Sequence, residues 1–239
     1  KEASAMVLSD DNFATIVASV EEGRTIYDNI RRFVHYLLSC NTGEVLTMFL
    51  AGLAGLPLPL LPIQILWINL TTDSLPALAL GIEGPERGIM KRPPRPPREG
   101  IITRPMANEI GWQGLLIGVV TLAAFVLELS VLQGGVPRAR VLAFSTSILA
   151  QGVHAFNLRS LRQPLFAVGL FGNRWLVAAV LAVVLSNLAV IYLPFLQSVF
   201  DTVPLTAADW AVVVGLGLMP LFVVQAWRLV RGKLDSRLR

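Results

Sequence analysis

ILWINLTTDSLPALALG, residues 65–81, has the apolar content of a membrane span, yet Asn69, Thr71, Thr72 and Asp73 sit near its middle and Pro76 stands just behind them. A carboxylate at mid-membrane costs roughly 2.5–3.5 kcal/mol on insertion scales, so it marks a functional site by default. Asn69, Thr72 and Asp73 stand at i, i+3 and i+4, one face of a helix. Pro76 has no N–H to donate and clashes with the carbonyl four residues back, that of Thr72. The spacing therefore predicts a helix that loosens over 72–76 and turns carbonyls and hydroxyls toward whatever the carboxylate binds. Interrupted helices at midplane sites are a transporter device.

A second polar cluster precedes it. In SCNTGEV, residues 39–45, Asn41 and Glu44 are three apart and share a helix face. The uncharged turn GLPLPLL, residues 55–61, folds the two segments into a hairpin, which brings both polar faces to similar depth. Two carboxylates with no Lys or Arg beside them repel unless they are protonated or bridged by a cation. A hard cation such as Ca²⁺ takes six to eight oxygen ligands. The donors here are all oxygens apart from His154, which disfavours soft metals. A later segment adds Gln151, with His154 and Asn157 one and two turns on. Plainer readings stand beside these. Asn41, Asn69, Gln151 and His154 each read also as interhelical hydrogen-bonding residues, and Thr72 as back-bonding to its own helix. Glu44 and Asp73 together resist a packing explanation. Glu128, near the outer end of the third apolar window, is expected to reach water. Gly114 and Gly118, in GLLIG, form a small-xxx-small pair suited to close helix packing.

The whole chain is consistent with this. Of 239 residues, 54% are hydrophobic and 15% charged, with mean hydropathy +0.63. These values indicate a polytopic membrane protein rather than an ordinary soluble domain. Six apolar windows, at 33–56, 59–82, 108–132, 141–157, 175–196 and 210–227, predict an all-α bundle of six transmembrane helices. The basic residues lie in short loops and at the ends, so the pI of 9.7 reports topology and not nucleic-acid binding. Arg31 and Arg32, then Arg87 to Arg104, then Arg159, Arg162 and Arg174, then Arg228 to Arg239 predict cytoplasmic N- and C-termini and cytoplasmic loops after the second and fourth windows. QGGVPRAR, with Arg138 and Arg140, is the exception on the opposite side. No proline falls between residues 12 and 56, which predicts one long helix from the cytoplasm into the membrane, with Asp10, Asp11 and Asn12 as candidate N-caps. Ile16, Val17, Val20, Ile26 and Ile30 give that helix an apolar stripe. KRPPRPPRE, 91–99, reads as an extended basic connector. Single Cys40 leaves no intrachain disulfide and no Cys-cluster metal site. The start has no signal-peptide pattern and reads as entering mid-element.

The run KEASAMVLSDDNFATIVASVEEGRTIYDNIRRF, with SCNTGEV, LWINLTTDSLPALALG and IMKRPPRPPRE in that order, resembles the C-terminal membrane half of a P-type cation-transporting ATPase of the calcium-pump branch, helices five to ten. The likeness is dense over 1–105 and collinear to the end. It implies a division into 1–32 (end of the phosphorylation domain and stalk), 33–82 (ion-binding helix pair), 83–107 (cytoplasmic Pro/Arg-rich loop) and 108–239 (four further helices and a short tail). It implies that Asn41, Glu44, Asn69, Thr72, Asp73 and Gln151 bind the transported ion, Ca²⁺, which phosphorylation-coupled movement releases. Gln151 falls where related pumps carry a glutamate, which puts two-ion transport in doubt. DKTGT, TGES and PEGLP runs are absent from this sequence. The resemblance therefore places ATP and Mg²⁺ on upstream actuator, phosphorylation and nucleotide domains, and helices one to four, as partners in the same pump. It also implies that this part alone is inactive. A bilayer, here a bacterial plasma membrane, is the other expected partner. Alternatives are a pump for Mn²⁺ or a monovalent ion, a stand-alone six-helix channel or ion-coupled permease, and a non-catalytic subunit.

Overall fold

The computed structural model describes residues 12–96, 98–161 and 163–237; Asp10, Asp11, Arg162 and Arg239 lie outside them. The described residues form an all-α bundle without strands. Helix α1, Phe13–Leu53, is continuous over 41 residues, about 60 Å at 1.5 Å per residue. Asn12 caps it, its side chain accepting from the Ala14 N–H at 2.9 Å. Gly55, in the left-handed region at φ +65°, closes it. The Leu56 N–H returns to the Ala51 carbonyl at 3.0 Å, the hydrogen bond of a Schellman stop. The second window is not one helix but two, α2 (Pro62–Thr71) and α3 (Leu75–Gly81), interrupted at 72–74. Helix α4, Arg104–Leu127, runs on into one wide turn, Glu128–Leu132. Helix α5 is Gly135–Asn157, and a short α6, Leu165–Val168, precedes α7, Arg174–Tyr192. A short α8, Pro194–Phe200, follows. The last window is also split, into α9 (Ala207–Gly217) and α10 (Met219–Arg237), with Pro220 in the first turn of α10.

Three stretches are long and apolar enough to cross a membrane by themselves: Arg104–Leu132, Arg174–Tyr192 and Ala207–Arg231. The other three windows fall short for a physical reason. They carry the polar clusters, and one is broken in the middle. Their polar faces turn inward, as intramembrane polar residues do. Helix α5 is the centre of the bundle, with nearly every residue from Ala139 to Asn157 buried between α4, α7, α9 and α10. Val45, Phe49, Leu66, Leu70, Leu115 and Leu181 stay exposed on the outside. Such a perimeter suits lipid rather than water.

Helices α1 and α4 pack closest, through glycines. A Cβ at Gly114 would lie 2.7 Å from Thr42 Cβ and 2.9 Å from the Ser39 carbonyl; one at Gly118 would lie 2.9 Å from the Gly43 carbonyl. Because the nearest atoms include backbone, the helices themselves would have to separate. Gly114→Val is expected to destabilise the protein by about 1–3 kcal/mol or more, the cost of overpacking. A thermal melt in detergent checks this, and an unchanged midpoint would mean the seam is looser than the structure has it.

On the first part of α1 the apolar stripe faces outward in this chain. Val17, Val20, Ile26 and Ile30 are exposed, whereas Thr25, Asn29 and Arg32 are buried. The polar face is the one this chain covers, because the loop after α3 folds back on it. Asn29 Nδ2 donates to the Gly81 and Glu83 carbonyls at 3.1 and 2.9 Å. Glu86 is the hub: it pairs with Arg32 at 3.2 Å, with Arg92, and accepts from Ser160 Oγ at 2.6 Å. Arg92 also pairs with Asp28 at 2.5 Å. Burial pushes the Glu86 carboxyl up, but the Ser160 hydroxyl and the Arg32 and Arg92 charges outweigh it and hold it below the usual carboxylate range. A carboxyl depressed in the folded state stabilises fully above its ordinary value of 4.5 and loses that contribution as pH falls below it. Stability is therefore expected to drop on acidification below 4.5, and Glu86→Gln is expected to flatten part of that drop. Melting midpoints against pH decide, and parallel curves for the two proteins would remove Glu86 from the account.

Candidate cation site

Two apolar clusters stack along the bundle. One holds Leu60, Ile68, Phe125, Phe144, Ile148 and Val190; the other holds Tyr36, Cys40, Ala77, Leu80, Leu158 and Leu176. Between Cys40 and Met48 on α1, Ile68 and Ala77 on the broken helix, and Ile148 and Ala155 on α5, all three chains turn polar. The candidate residues occupy that layer. Glu44, Thr72 and Gln151 are buried at 5%, 0% and 0% exposure, a level at which every polar atom needs a partner.

The interruption of the second helix builds half of the layer. The Thr72 N–H still reaches the Ile68 carbonyl at 2.8 Å, and Thr72 Oγ1 lies 2.8 Å from the same oxygen, so that the single hydroxyl proton is shared between that carbonyl and Gln151. Beyond it Pro76 supplies no N–H, and the Thr72 carbonyl instead accepts from Tyr36 Oη on α1 at 3.2 Å. The chain resumes as helix at Leu75, with Asp73 left on the non-helical link.

Two pairs join the elements. Asn41 Nδ2 donates to Asp73 Oδ2 at 2.9 Å, and also to the Leu37 carbonyl at 2.9 Å. Gln151 lies between the other two helices. Its Oε1 accepts from Thr72 Oγ1 at 2.6 Å, while its Nε2 donates to Glu44 Oε1 at 2.9 Å and to Ser147 Oγ at 3.2 Å. Asn69 stands beside the Glu44 carboxyl. All six candidate residues are thus brought into one layer. Two acceptors in it are buried without a donor: Asn69 Oδ1 and Asp73 Oδ1. No Lys or Arg side chain pairs with either carboxylate among the described residues. Three His, Cys, Asp or Glu residues do not converge anywhere among them; the side chains that do meet in the layer offer mostly neutral oxygens, a donor type that hard cations take and soft ones do not.

Several neighbours differ from the sequence reading. His154 is fully buried and stacks on Tyr36 at 6.4 Å, its Nδ1 3.5 Å from Asn157 Nδ2, but its Nε2 has no partner, so it is only half satisfied. Glu128 does not reach water. It is 1% exposed and pairs with Arg138 at 3.4 Å, and Arg138 also pairs with Asp209 of α9. The wide turn at 128–132 and the capped start of α9, where Thr206 and Asp209 bond each other, carry both acids inward. That pairing explains why Arg138 breaks the charge pattern of its loop: its charge is neutralised locally. The signal available in sequence was the matching of one Arg to two acids on the same side, Glu128 and Asp209.

Comparison with known proteins follows the same lines. The family profile described as "Cation transporting ATPase, C-terminus" matches residues 57–230. A calcium-transporting ATPase of Bacillus subtilis (strain 168) is 48% identical over 233 residues, covering 98% of this chain and 26% of that protein. Calcium-transporting ATPase 1 of Bacillus cereus (strain ATCC 10987 / NRS 248) is 39% identical, covering 97% of this chain and 28% of its own length. A probable cation-transporting ATPase F of Mycobacterium tuberculosis (strain CDC 1551 / Oshkosh) is 39% identical, covering 88% and 23%. The chain spans about a quarter of the length of these relatives.

Proposed function

We propose, from the premise that this chain belongs to the family of P-type cation-transporting ATPases and forms their C-terminal membrane region, that its polar layer is the site where the pump holds Ca²⁺. The observation that carries the proposal is the pair of buried, donorless oxygens, Asn69 Oδ1 and Asp73 Oδ1, beside the Glu44 carboxylate. Buried acceptors without donors are costly, and a divalent cation bound by oxygens removes the cost. The amides of Asn41 and Gln151 now offer N–H groups to the two carboxylates. Rotation of either amide presents its oxygen to the ion instead, as the same side chain carries both groups.

Gln151 brings no charge, and its amide is engaged on both sides by Glu44 and Thr72. Within this chain the layer holds two carboxylates, and helices one to four of the pump lie outside it. The charge missing at Gln151, where the resemblance implies a glutamate, is what favours one Ca²⁺ per cycle. Asn41 and Glu44 ride on the same rigid α1 that runs some 60 Å from Asn12. Tilting that helix moves them against Asn69, Thr72 and Asp73 on the broken helix, and the cage opens. ATP and Mg²⁺ act in the parts of the pump outside this chain. The basic connections support an orientation in a bacterial plasma membrane with both ends of this region, and the loops after α3 and α5, on the cytoplasmic side.

The test is the cation dependence of phosphorylation by ATP in the protein at its natural length. The proposal expects phosphoenzyme with Ca²⁺ and little with Mn²⁺, Na⁺ or K⁺ alone. Formation at equal level with Na⁺ or K⁺ and no Ca²⁺ would overturn the choice of ion.

A further inference from the structure

We propose that the cavity between the first part of α1 and the Pro-rich loop is a binding site for a phosphate-bearing anion. The cavity measures about 580 Å³ and is lined by Arg24, Arg31, Arg92 and Arg95 against Asp28 and Glu99. That volume lies within the range, roughly 300–1,000 Å³, of small-molecule sites. Arg92 is spent on Asp28 and Glu86. The other three guanidinium groups have no ion-pair partner among the described residues.

Two of the three are nonetheless held in place. Arg24 Nη1 donates to the Ile89 and Arg92 carbonyls at 2.8 Å each, leaving its other nitrogens to the cavity. The Arg95 guanidinium lies 4.0 Å over the Tyr27 ring, on a loop stiffened by Pro93, Pro94 and Pro96. Arg31 makes only weak contacts, 3.4 Å to Thr103 Oγ1 and 3.9 Å to Met106 Sδ, and its Nε is buried without a partner. Two held guanidinium groups, Arg24 and Arg95, and the loosely contacted Arg31 outnumber the one carboxylate of the lining that is not ion-paired, Glu99, Asp28 being paired with Arg92, and planar guanidinium forks suit the several oxygens of a phosphate better than a halide. Because Arg24 and Arg95 are pre-positioned, binding has mainly Arg31 to order.

The position fits two sources of that chemistry. Arg31 lies two residues before the apolar window of α1, at headgroup level, where anionic lipid collects. Arg24 lies about 10 Å farther out along the helix, seven residues at 1.5 Å each. A lipid phosphate reaches the first and a soluble phosphate compound reaches both. Either ligand bridges the loop to α1, the same helix that carries Asn41 and Glu44.

The experiment uses the natural-length protein in nanodiscs and two probes. Retention of phosphatidylglycerol over phosphatidylcholine is read by native mass spectrometry. Inorganic phosphate in phosphatidylcholine discs is read by ³¹P line broadening. The expected result is binding of at least one probe. It should fall roughly tenfold or more in Arg31→Gln/Arg95→Gln, partially in Arg31→Gln alone, and not at all in Arg140→Gln in the connection preceding α5. Phosphatidylglycerol alone identifies the lipid source, and inorganic phosphate alone the soluble one. Binding of neither probe, or equal binding by the double variant, overturns the proposal.

Discussion

Asp73→Asn is expected to abolish Ca²⁺-dependent phosphorylation at micromolar Ca²⁺ and to shift its apparent affinity by about 100-fold or more. Asp73 sits on the link between α2 and α3, and one of its oxygens is buried with no donor while the other takes only the Asn41 amide. Losing a buried charge from a binding pair costs roughly 2–5 kcal/mol, and 2.7 kcal/mol is already a factor of about 100. The variant is isosteric and keeps the Asn41 contact available, so folding should be preserved. Dose–response curves of phosphoenzyme against free Ca²⁺ give the shift directly, with the thermal midpoint as the folding control. A wild-type curve from a folded variant would remove Asp73 from the site.

Glu44→Gln is expected to lose Ca²⁺ affinity to a similar extent, about 100-fold, and at the same time to melt higher than the wild type in the absence of Ca²⁺. The two effects share one cause. Glu44 is 5% exposed, without a cationic partner, and touched by neutral amides from Gln151 and Asn69. An ionised carboxylate so placed destabilises the ion-free fold. Removing the charge relieves that cost, at about 2–4 °C per kcal/mol for a chain of this size. A residue that served only packing would show the opposite sign, lower stability with transport intact. That opposite result would return Glu44 to a structural role.

The core of this arrangement is legible in the sequence, because it follows from local rules. Spacing puts Asn41 with Glu44 and Asn69 with Thr72 and Asp73. A short turn forces the hairpin, and a proline four residues beyond Thr72 breaks the helix there. Each step is set by residues a turn or two apart, and the structure has Asn41 on Asp73 and the break at 72–74. Gln151 was harder. Its distance from Glu44 is 107 residues, and only the threading of α5 through the centre of the bundle fixes which amide atom meets which neighbour. The split at Leu218 was also in view, in Pro220, but the apolar run around it masked the signal.

Long-range charge pairing accounts for what was missed. The Pro-rich loop reads as an extended basic connector from composition alone, and the structure adds that Arg92, Glu86, Asp28 and Arg32 lock it to α1. Glu128 reads as a residue at the edge of water, yet Arg138 and the wide turn draw it inside. The apolar stripe on the first turns of α1 is legible from its spacing, but which face this chain covers is not: the loop covers the polar side and the stripe stays exposed. In all three cases hydropathy ranks residues one at a time, and the outcome turns on partners beyond the local turn, from ten residues away for Glu128 and Arg138 to several tens for Asp28 and Arg92.

Equilibrium ⁴⁵Ca²⁺ binding to the natural-length protein, normalised to phosphorylation sites, tests the central claim most directly. A cage to which this chain gives Asn41, Glu44, Asn69, Thr72 and Asp73, with uncharged Gln151 in place of a carboxylate, predicts one Ca²⁺ per site, lost in Asp73→Asn. Two ions per site, or one ion still bound by the folded Asp73→Asn protein, would contradict it.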